Sequence, residues 1–286
     1  MGVGSGVYSI AVSRDGKWTV GGADSESGQV VVWDTEGHKK VSEFKGHQGH
    51  WVYAVDISPD ATRIASGSDD KTVRVWSRST GEQLLRPLKH DFEVAAVKFS
   101  PNGQFIATAT WGLKSIRIYD SRDGRLLFDS PIKVSSYFNQ SLAWVSDSKQ
   151  LFALSNDGKI HCLEVTSGRI LSAWAIHSAN QPRCIALGSN GVFIAASANS
   201  SVSFWDTATH EQVGSLIHHP DEVFYMAISA NDDLVVSGGD TIILQKLHDI
   251  LPSNYFDDVG VFQCHRDPIH RDPLSAIGAR SLPHVH

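Results

Sequence analysis

Short hydrophobic runs of about six residues alternate along the chain with clusters of Gly, Ser, Asp and Asn. The run "VYSIAV" is followed by the turn-forming "SRDG", a second run and a further turn before "VVVWD". Runs of this length, rich in Val and Ile and bounded by turn residues, are typical of β-strands. No segment shows the apolar spacing of three and four residues that a long helix needs. The pattern therefore predicts an all-β chain.

This pattern returns with a nearly constant period. Successive units end a strand at corresponding positions, which are Trp33, Trp76, Tyr119, Leu163, Trp205 and Gln245. These positions are 43, 43, 44, 42 and 40 residues apart. A turn-forming segment also recurs once in each unit with nearly the same spacing. The first of these segments is "SRDG" at 13–16 and the last is "SAND" at 229–232. Each unit is predicted to contain three strands joined by tight turns and a looser fourth strand such as "EQLLRPL".

Sheets of this kind are apolar on both faces, so each sheet needs a neighbour on both sides. Radial stacking provides two neighbours for every sheet and leaves only short edges. We therefore predict a β-propeller of four-stranded antiparallel blades, with six blades because six units are visible. A seven-bladed or incomplete ring is the alternative.

The sequence of the first and last units does not determine how the ring closes. The candidate outer strand of the last blade is "DVGVFQC" at 258–264, and only "MGVGSG" precedes the first inner strand. We expect closure by packing between the first and last blades, or a ring that stays open or is completed by a partner.

Several short motifs resemble those of the WD40-repeat family of β-propellers. They are Gly46-His47, Ser58-Pro59-Asp60, "ASGSDD" at 65–70 and the Trp-Asp pairs at 33–34 and 205–206. The resemblance covers residues 7–262. The series of repeats also resembles the propeller parts of large fungal WD40 families, some of which carry a NACHT domain. One alternative interpretation of the chain is therefore a fragment of such a signalling protein. We assign residues 1–262 to the propeller and 263–286 to a disordered tail.

The resemblance implies a hydrogen-bonded tetrad in the second blade, formed by His47, Ser66, Asp70 and Trp76. A buried indole N–H needs an acceptor, and a hydroxyl can accept from it while donating to an imidazole that a carboxylate orients. His50 is the alternative to His47. A hydrolytic triad is the other interpretation of these residue types, but such a hydroxyl would lie inside a blade, and no GxSxG nucleophile elbow is present. Only this unit contains all four residues.

The loops that enter the first strands and the turns between second and third strands should share one end of the ring, which we call the top rim. Aromatic and charged residues concentrate there, as in many protein-binding hot spots. The predicted partner-binding residues are Trp51, Phe92, Trp111, Tyr137, Phe138, Arg183 and Phe224. Trp51 and Trp111 are the preferred exposed anchors. The alternative for each ring is packing between blades.

Composition narrows the possible partners. The net charge of -6 argues against nucleic acid, which normally requires a basic face. Three widely spaced cysteines without a CxxC pair predict neither a disulfide framework nor a zinc site, so we expect no metal and no cofactor. The chain has no long apolar run and no secretory signal, which predicts no membrane association and a cytoplasmic location, with a nuclear one left open.

No motif specifies a reaction, and Asp56 is the only carboxylate on a predicted inner strand. We therefore predict a non-catalytic scaffold that binds a protein or peptide on the top rim. An enzyme or a nucleic-acid-binding module built on a propeller is the alternative. The sequence names neither the partner nor the process.

Overall fold

Twenty-three short strands form six antiparallel sheets in the part of the chain that the structure describes. This computed structural model describes residues 6–23, 28–47, 49–111, 115–133, 141–176 and 182–256. Strands that follow one another in sequence pair within each sheet, and five sheets have four strands. The sixth sheet has three strands among these residues. The predicted all-β propeller with six blades is confirmed.

The first three blades contain strands β1 to β12. Blade 1 consists of β1 Val7–Val12, β2 Trp18–Ala23, β3 Gln29–Asp34 and β4 Lys39–Lys45. Blade 2 consists of β5 Val52–Ile57, β6 Arg63–Ser68, β7 Thr72–Ser77 and β8 Leu88–Lys89. Blade 3 consists of β9 Val94–Phe99, β10 Phe105–Thr110, β11 Ile116–Asp120 and β12 Leu126–Ser130.

The remaining blades contain strands β13 to β23. Blade 4 consists of β13 Leu142–Trp144, β14 Gln150–Leu154, β15 Lys159–Glu164 and β16 Ile170–Ala175. Blade 5 consists of β17 Pro182–Leu187, β18 Phe193–Ala198, β19 Ser201–Asp206 and β20 Gln212–His218. Blade 6 consists of β21 Tyr225–Ile228, β22 Leu234–Gly238 and β23 Ile242–Lys246, followed by 3₁₀ turns at Leu247–Asp249 and Ser253–Tyr255.

The first strand of every blade lies at the centre of the ring. All six first strands contribute residues to a central cavity of about 720 Å³, from Val12 in β1 to Ile228 in β21. The cavity is also lined by the turns between first and second strands, such as Ser58-Pro59 and Ser100-Pro101. It therefore opens at the end of the ring opposite the top rim.

Five clusters of buried apolar side chains hold consecutive blades together. They lie between blades 1 and 2, 2 and 3, 3 and 4, 4 and 5, and 5 and 6. Residues of a third strand pack alternately on its two sides. In β7, Val73 and Val75 pack toward blade 3, whereas Trp76 packs toward blade 1. The period-2 geometry of a strand thus divides each blade between two interfaces.

One outer strand differs from the expectation. "EQLLRPL" was expected to be a fourth strand, but β8 contains only Leu88–Lys89, with one further bridge between Trp76 and Gln83. Pro87 lies immediately before this short strand, and proline cannot donate a ladder hydrogen bond. The candidate outer strand at 258–264, and the tail predicted at 263–286, lie outside the described residues.

No described residue belongs to a helix long and apolar enough to cross a membrane.

Candidate protein-binding rim

A chain of hydrogen bonds in blade 2 links four residues that are far apart in sequence. Trp76 Nε1 donates to Ser66 Oγ over 2.9 Å, and Ser66 Oγ lies 2.8 Å from His47 Nε2. His47 Nδ1 lies 2.7 Å from Asp70 Oδ2. Ser66 and Trp76 are on the paired strands β6 and β7, while His47 is in the loop that leads to β5. The structure thus brings the four tetrad residues together.

The turn between β6 and β7 holds Asp70 in place. Lys71 has a φ of 63°, which closes the turn, and the Thr72 backbone N–H donates to Asp70 Oδ1 over 2.9 Å. The backbone N–H of Asp69 donates to the Trp51 carbonyl over 3.1 Å. The network therefore connects the turn to the loop that carries Trp51 on the top rim.

The protonation states of His47 and Asp70 allow each residue of the tetrad to donate a hydrogen bond to the next, from Trp76 to Asp70. Burial lowers the pKa of His47, and its hydrogen bond with Asp70 only partly opposes that effect. Burial favours a higher pKa for Asp70, but hydrogen bonds from His47 and Thr72 outweigh it and lower the pKa. A neutral His47 donates through Nδ1 to the ionised Asp70 and accepts the Ser66 proton at Nε2.

His50, the alternative tetrad histidine, takes a different position. Its side chain is exposed, and its Nδ1 lies 2.8 Å from Asp69 Oδ1. His47 is fully buried. The Gly49 residue between them has a φ of 76°, which turns the chain outward before His50.

Other blades contain only parts of this arrangement. In blade 3, His90 Nε2 lies 2.9 Å from Thr108 Oγ1 and 3.3 Å from the Tyr119 hydroxyl. In blade 6, His219 Nε2 lies 2.9 Å from Ser237 Oγ. In blade 5, the Trp205 indole donates to Ser203, on its own strand, over 2.9 Å. The prediction that these units depart from the full pattern agrees with these contacts.

Four aromatic rings from three blades meet on the top rim. Trp51 lies 5.9 Å from Tyr8 and 6.1 Å from Tyr53, measured between ring centroids. Tyr53 stacks on Trp111 at 4.4 Å with an interplanar angle of 28°. Trp51 is 42% exposed, whereas Trp111 is half-buried and Tyr53 is buried. We call Tyr8, Trp51, Tyr53 and Trp111 the aromatic cluster.

The sequence prediction missed Tyr8 and Tyr53, although a signal was present. Both occupy the second position of their strands, in "VYSIAV" and "VYAVDI". The pairing register shifts between Val7 and Ser9 and between Val52 and Ala54, so each tyrosine is the extra residue of a β-bulge. Bulges re-aim side chains, and here they bring both rings to Trp51.

Two carboxylates, those of Asp69 and Glu93, lie near Tyr53 of the aromatic cluster. Burial raises the pKa of Tyr53 to about 12, with smaller contributions from the nearby Asp69 and Glu93. Asp91 is exposed and lies 3.0 Å from Arg117 Nη2. Phe92, another predicted rim residue, is half-buried beside it.

The part of the top rim on blades 5 and 6 is more closely packed. Arg183 is buried, and its Nη2 lies 2.7 Å from Glu222 Oε2. The same guanidinium lies 5.1 Å from the centroid of the half-buried Phe224 ring. Arg183 therefore acts as a bridge between β17 and the loop before β21. The predicted rim residues Tyr137 and Phe138 lie outside the described residues.

Among the described residues, three ionisable side chains line the central cavity, and they are Arg14, Asp56 and Lys98. Asp56 is the only carboxylate among the described residues that line it, and Asp56 Oδ2 accepts a hydrogen bond from the Phe99 backbone N–H over 2.7 Å. Burial raises the pKa of Asp56 above its usual value. Within the described ranges, no group of three or more His, Cys, Asp or Glu side chains is placed to hold a metal ion. Here Asp56 links two blades.

The fold and the repeat agree with a known family. The family model described as "WD domain, G-beta repeat" matches residues 3–34, 38–77, 82–120 and 210–244, about half of the chain. The chain therefore belongs to the WD40-repeat family. Blades 4 and 5, between the matched segments, have the same strand order.

Curated proteins with related sequences come from several eukaryotes. The chain is 32% identical over 142 residues to "Small ribosomal subunit protein RACK1y" of Oryza sativa subsp. japonica, covering 48% of the chain and 41% of that protein. It is 25% identical over 265 residues to "Serine-threonine kinase receptor-associated protein" of Gallus gallus, covering 93% and 69%. It is 27% identical over 232 residues to "Periodic tryptophan protein 2 homolog" of Dictyostelium discoideum, covering 78% and 24%.

The chain thus spans between about a quarter and about two thirds of the length of these relatives.

Proposed function

We propose that this chain is a non-catalytic scaffold that binds a protein or peptide on the top rim, with Trp51 as the anchor. The observation that carries the proposal is the aromatic cluster. Trp51 is 42% exposed on a rim, and the buried Tyr53 supports its ring. Tryptophan side chains in such positions contribute strongly to protein interfaces because they bury a large apolar area with little loss of conformational freedom.

The electrostatic surroundings indicate the chemistry of the partner. Asp69 and Glu93 lie close enough to Tyr53 to affect its pKa. The exposed Asp91 lies on the same rim, where it pairs with Arg117. An indole face attracts cations, and neighbouring carboxylates add to that attraction. The partner segment that fits best carries Lys or Arg next to an apolar residue.

The relatives support a role in assemblies. Two of them are named as a ribosomal subunit protein and a receptor-associated protein. Those names describe the relatives, and an equivalent role for this chain is part of the proposal. The cytoplasmic location expected from the sequence stays a prediction.

The test is quantitative affinity capture with wild type, Trp51→Ala and a matched control, Leu84→Ala. Leu84 is similarly exposed in the same blade, but its backbone N–H bonds to Val75 at the outer part of the sheet, away from the rim. We expect Trp51→Ala to lose the captured partner at least tenfold, because hot-spot truncations cost about 2 kcal/mol or more. Leu84→Ala should keep it.

Trp111→Ala is a second rim variant and needs a folding control, because Trp111 packs on Tyr53. Its melting temperature must be measured before binding is compared. If Trp51→Ala and a folded Trp111→Ala both retain every partner of the wild type, the top rim is not the binding site. Weakening of the bound complex by salt would support the cationic partner, since exposed charge pairs are screened.

A further inference from the structure

We propose that the central cavity binds a small organic acid, which carries one carboxylate on an apolar body. Lys98 binds the carboxylate, and apolar residues of blades 5 and 6 contact the body of the ligand. The cavity opens at the end of the ring opposite the top rim, so the site is separate from the aromatic cluster. The inference does not depend on the proposed function.

One position of the innermost strands sets the chemistry of the cavity wall. In every blade this residue lies two positions before the turn that joins the first and second strands. Blades 1, 5 and 6 have alanine there, whereas blades 2, 3 and 4 have large side chains. In chain order the six residues are Ala11, Asp56, Lys98, Trp144, Ala186 and Ala227, and all of them except Ala11 line the cavity. The small alanines leave space beside the three large side chains.

Contacts with blade 3 hold two of these large side chains in place. Asp56 Oδ2 accepts a hydrogen bond from the Phe99 backbone N–H over 2.7 Å. Trp144 Nε1 donates to the backbone carbonyl of Lys98 over 3.3 Å, and the indole stacks on Phe105 with ring centroids 6.3 Å apart. The neighbours of Lys98 are therefore fixed before a ligand arrives, which lowers the entropic cost of binding.

The ammonium group of Lys98 lacks a partner of opposite charge. Its side chain is half-buried, and it forms no ion pair with a described residue. Its charge reaches Asp56, where it opposes the effect of burial, which raises the pKa of that carboxyl group. Charged groups that are removed from water are normally paired. An anion in the cavity would supply the missing partner.

Arg14 adds a second positive charge where the cavity opens. It is exposed in the turn after β1, lines the cavity and forms no ion pair with a described residue. Two cationic side chains therefore face one carboxylate, that of Asp56, which is already bonded to the backbone. A site with this excess of positive charge favours an anionic ligand.

The opposite wall of the cavity is apolar. It is formed by Ile185 and Leu187 of blade 5 and by Met226 and Ile228 of blade 6, and Leu187 and Ile228 are half-buried. Inorganic phosphate would leave this wall in contact with water, whereas an apolar body would cover it. The volume of about 720 Å³ lies within the range of about 300–1,000 Å³ that is typical of small-molecule sites. Charge, wall and volume together fit a small organic acid.

The cavity is distinct from the exposed apolar side chains on the third strand of blade 6. Ile242 and Leu244 of β23 are 74% and 61% exposed, and neither of them lines the central cavity. The proposal therefore does not depend on what covers β23.

The first experiment is a calorimetric titration of the full-length chain with cinnamate. Two comparison ligands separate the features of the site, because cinnamamide has the same body without the charge, and acetate has the carboxylate without the body. We expect cinnamate to bind with one-to-one stoichiometry and about tenfold more tightly than either comparison ligand, as one charge-assisted hydrogen bond predicts.

The second experiment repeats the titration with variants whose folding is checked by melting temperature. Lys98→Gln should weaken cinnamate binding about tenfold and leave cinnamamide binding unchanged. The matched control is Lys149→Gln, which removes the same charge from an exposed residue in the turn between β13 and β14, outside the cavity lining. It should bind cinnamate as the wild type does. Ala186→Phe fills the cavity without changing a charge and should weaken cinnamate and cinnamamide alike.

Three results would overturn the proposal. The first is that cinnamate does not bind, or binds no more tightly than cinnamamide or acetate. The second is that Lys98→Gln and Lys149→Gln have the same affinity for cinnamate. The third is that folded Ala186→Phe binds cinnamate as the wild type does, since the ligand would then lie outside the cavity. If Lys98→Gln does not fold, the comparison ligands and Ala186→Phe still decide the question.

Discussion

Blades 2 and 6 are built from the same repeat but differ in what surrounds them. Blade 2 packs against neighbours on both sides and contains the hydrogen-bond chain from Trp76 to Asp70. Blade 6 packs on one side only within the described residues and has Gln245 in place of the tryptophan. The comparison shows that an apolar third strand is buried only where a following blade exists.

The largest expected effect contrasts equivalent residues of the two blades. Val75→Asp should destabilise the chain by about 4 kcal/mol or more, because it buries an unpaired carboxylate between blades 2 and 3. Leu244→Asp changes the corresponding residue of blade 6 and should stay within about 0.5 kcal/mol, since that side chain is exposed. Urea unfolding of both variants measures the difference. Equal losses would mean that blade 6 is covered in solution.

The next effect concerns the hydrogen-bond chain. Ser66→Ala leaves both the Trp76 indole and His47 Nε2 without their partner, so we expect a loss of about 2–3 kcal/mol. His50→Ala removes an exposed contact and should cost less than about 0.5 kcal/mol. Thermal unfolding at pH 7 compares the two variants, and a neutral Ser66→Ala would refute a stabilising role for the network.

Acid should lower the free energy of unfolding through the buried His90 of blade 3. Burial lowers the pKa of His90 from 6.5 to about 4, so the folded state favours the neutral imidazole. This contribution to stability is complete above pH 6.5 and is lost as the pH falls toward 4. His90 alone should cost about 2 kcal/mol at pH 5 relative to pH 7.

The matched variants for this prediction are His90→Gln and His50→Gln. The stability of His90→Gln should depend less on pH than that of the wild type, whereas His50→Gln should keep the wild-type dependence. A wild-type stability that is constant between pH 7 and pH 5 would contradict the burial of neutral histidines.

The smallest effect is expected in blade 6. Ser237→Ala removes the partner of His219 Nε2, but no tryptophan shares that hydroxyl, so the loss should be about 1 kcal/mol. A loss as large as that of Ser66→Ala would mean that the tryptophan adds nothing to the network. The two variants are best compared by denaturant midpoint under identical conditions.

Much of the ring could be predicted from the sequence because the period and the turn residues are local signals. Strand β7 and the turn at Asp70 follow from "ASGSDDKTVRVW" alone. The resemblance to WD40 motifs, which left His50 as an alternative to His47, implied the four residues that the structure brings together around Ser66. The short β8 was missed because "EQLLRPL" has a strand-like composition despite Pro87.

The uncovered faces could not be predicted, because the side chains of Ile242 and Leu244 have the same apolar character as Val73 and Val75. Burial depends on a neighbouring sheet that is remote in sequence. Tyr8 and Tyr53 were missed for a related reason, since a bulge shifts the register by one residue and redirects the side chain. The packing of Trp111 on Tyr53 likewise required the two blades to be placed side by side.

The most direct test of an open junction between blades 6 and 1 is thiol labelling of Ile242→Cys and Val73→Cys in a Cys264→Ser background. The described native cysteines, Cys162 and Cys184, are both buried and should not react in the folded chain. We predict that Ile242→Cys reacts nearly as fast as an unfolded control, whereas Val73→Cys reacts only through unfolding. Equal protection at the two positions would contradict the account.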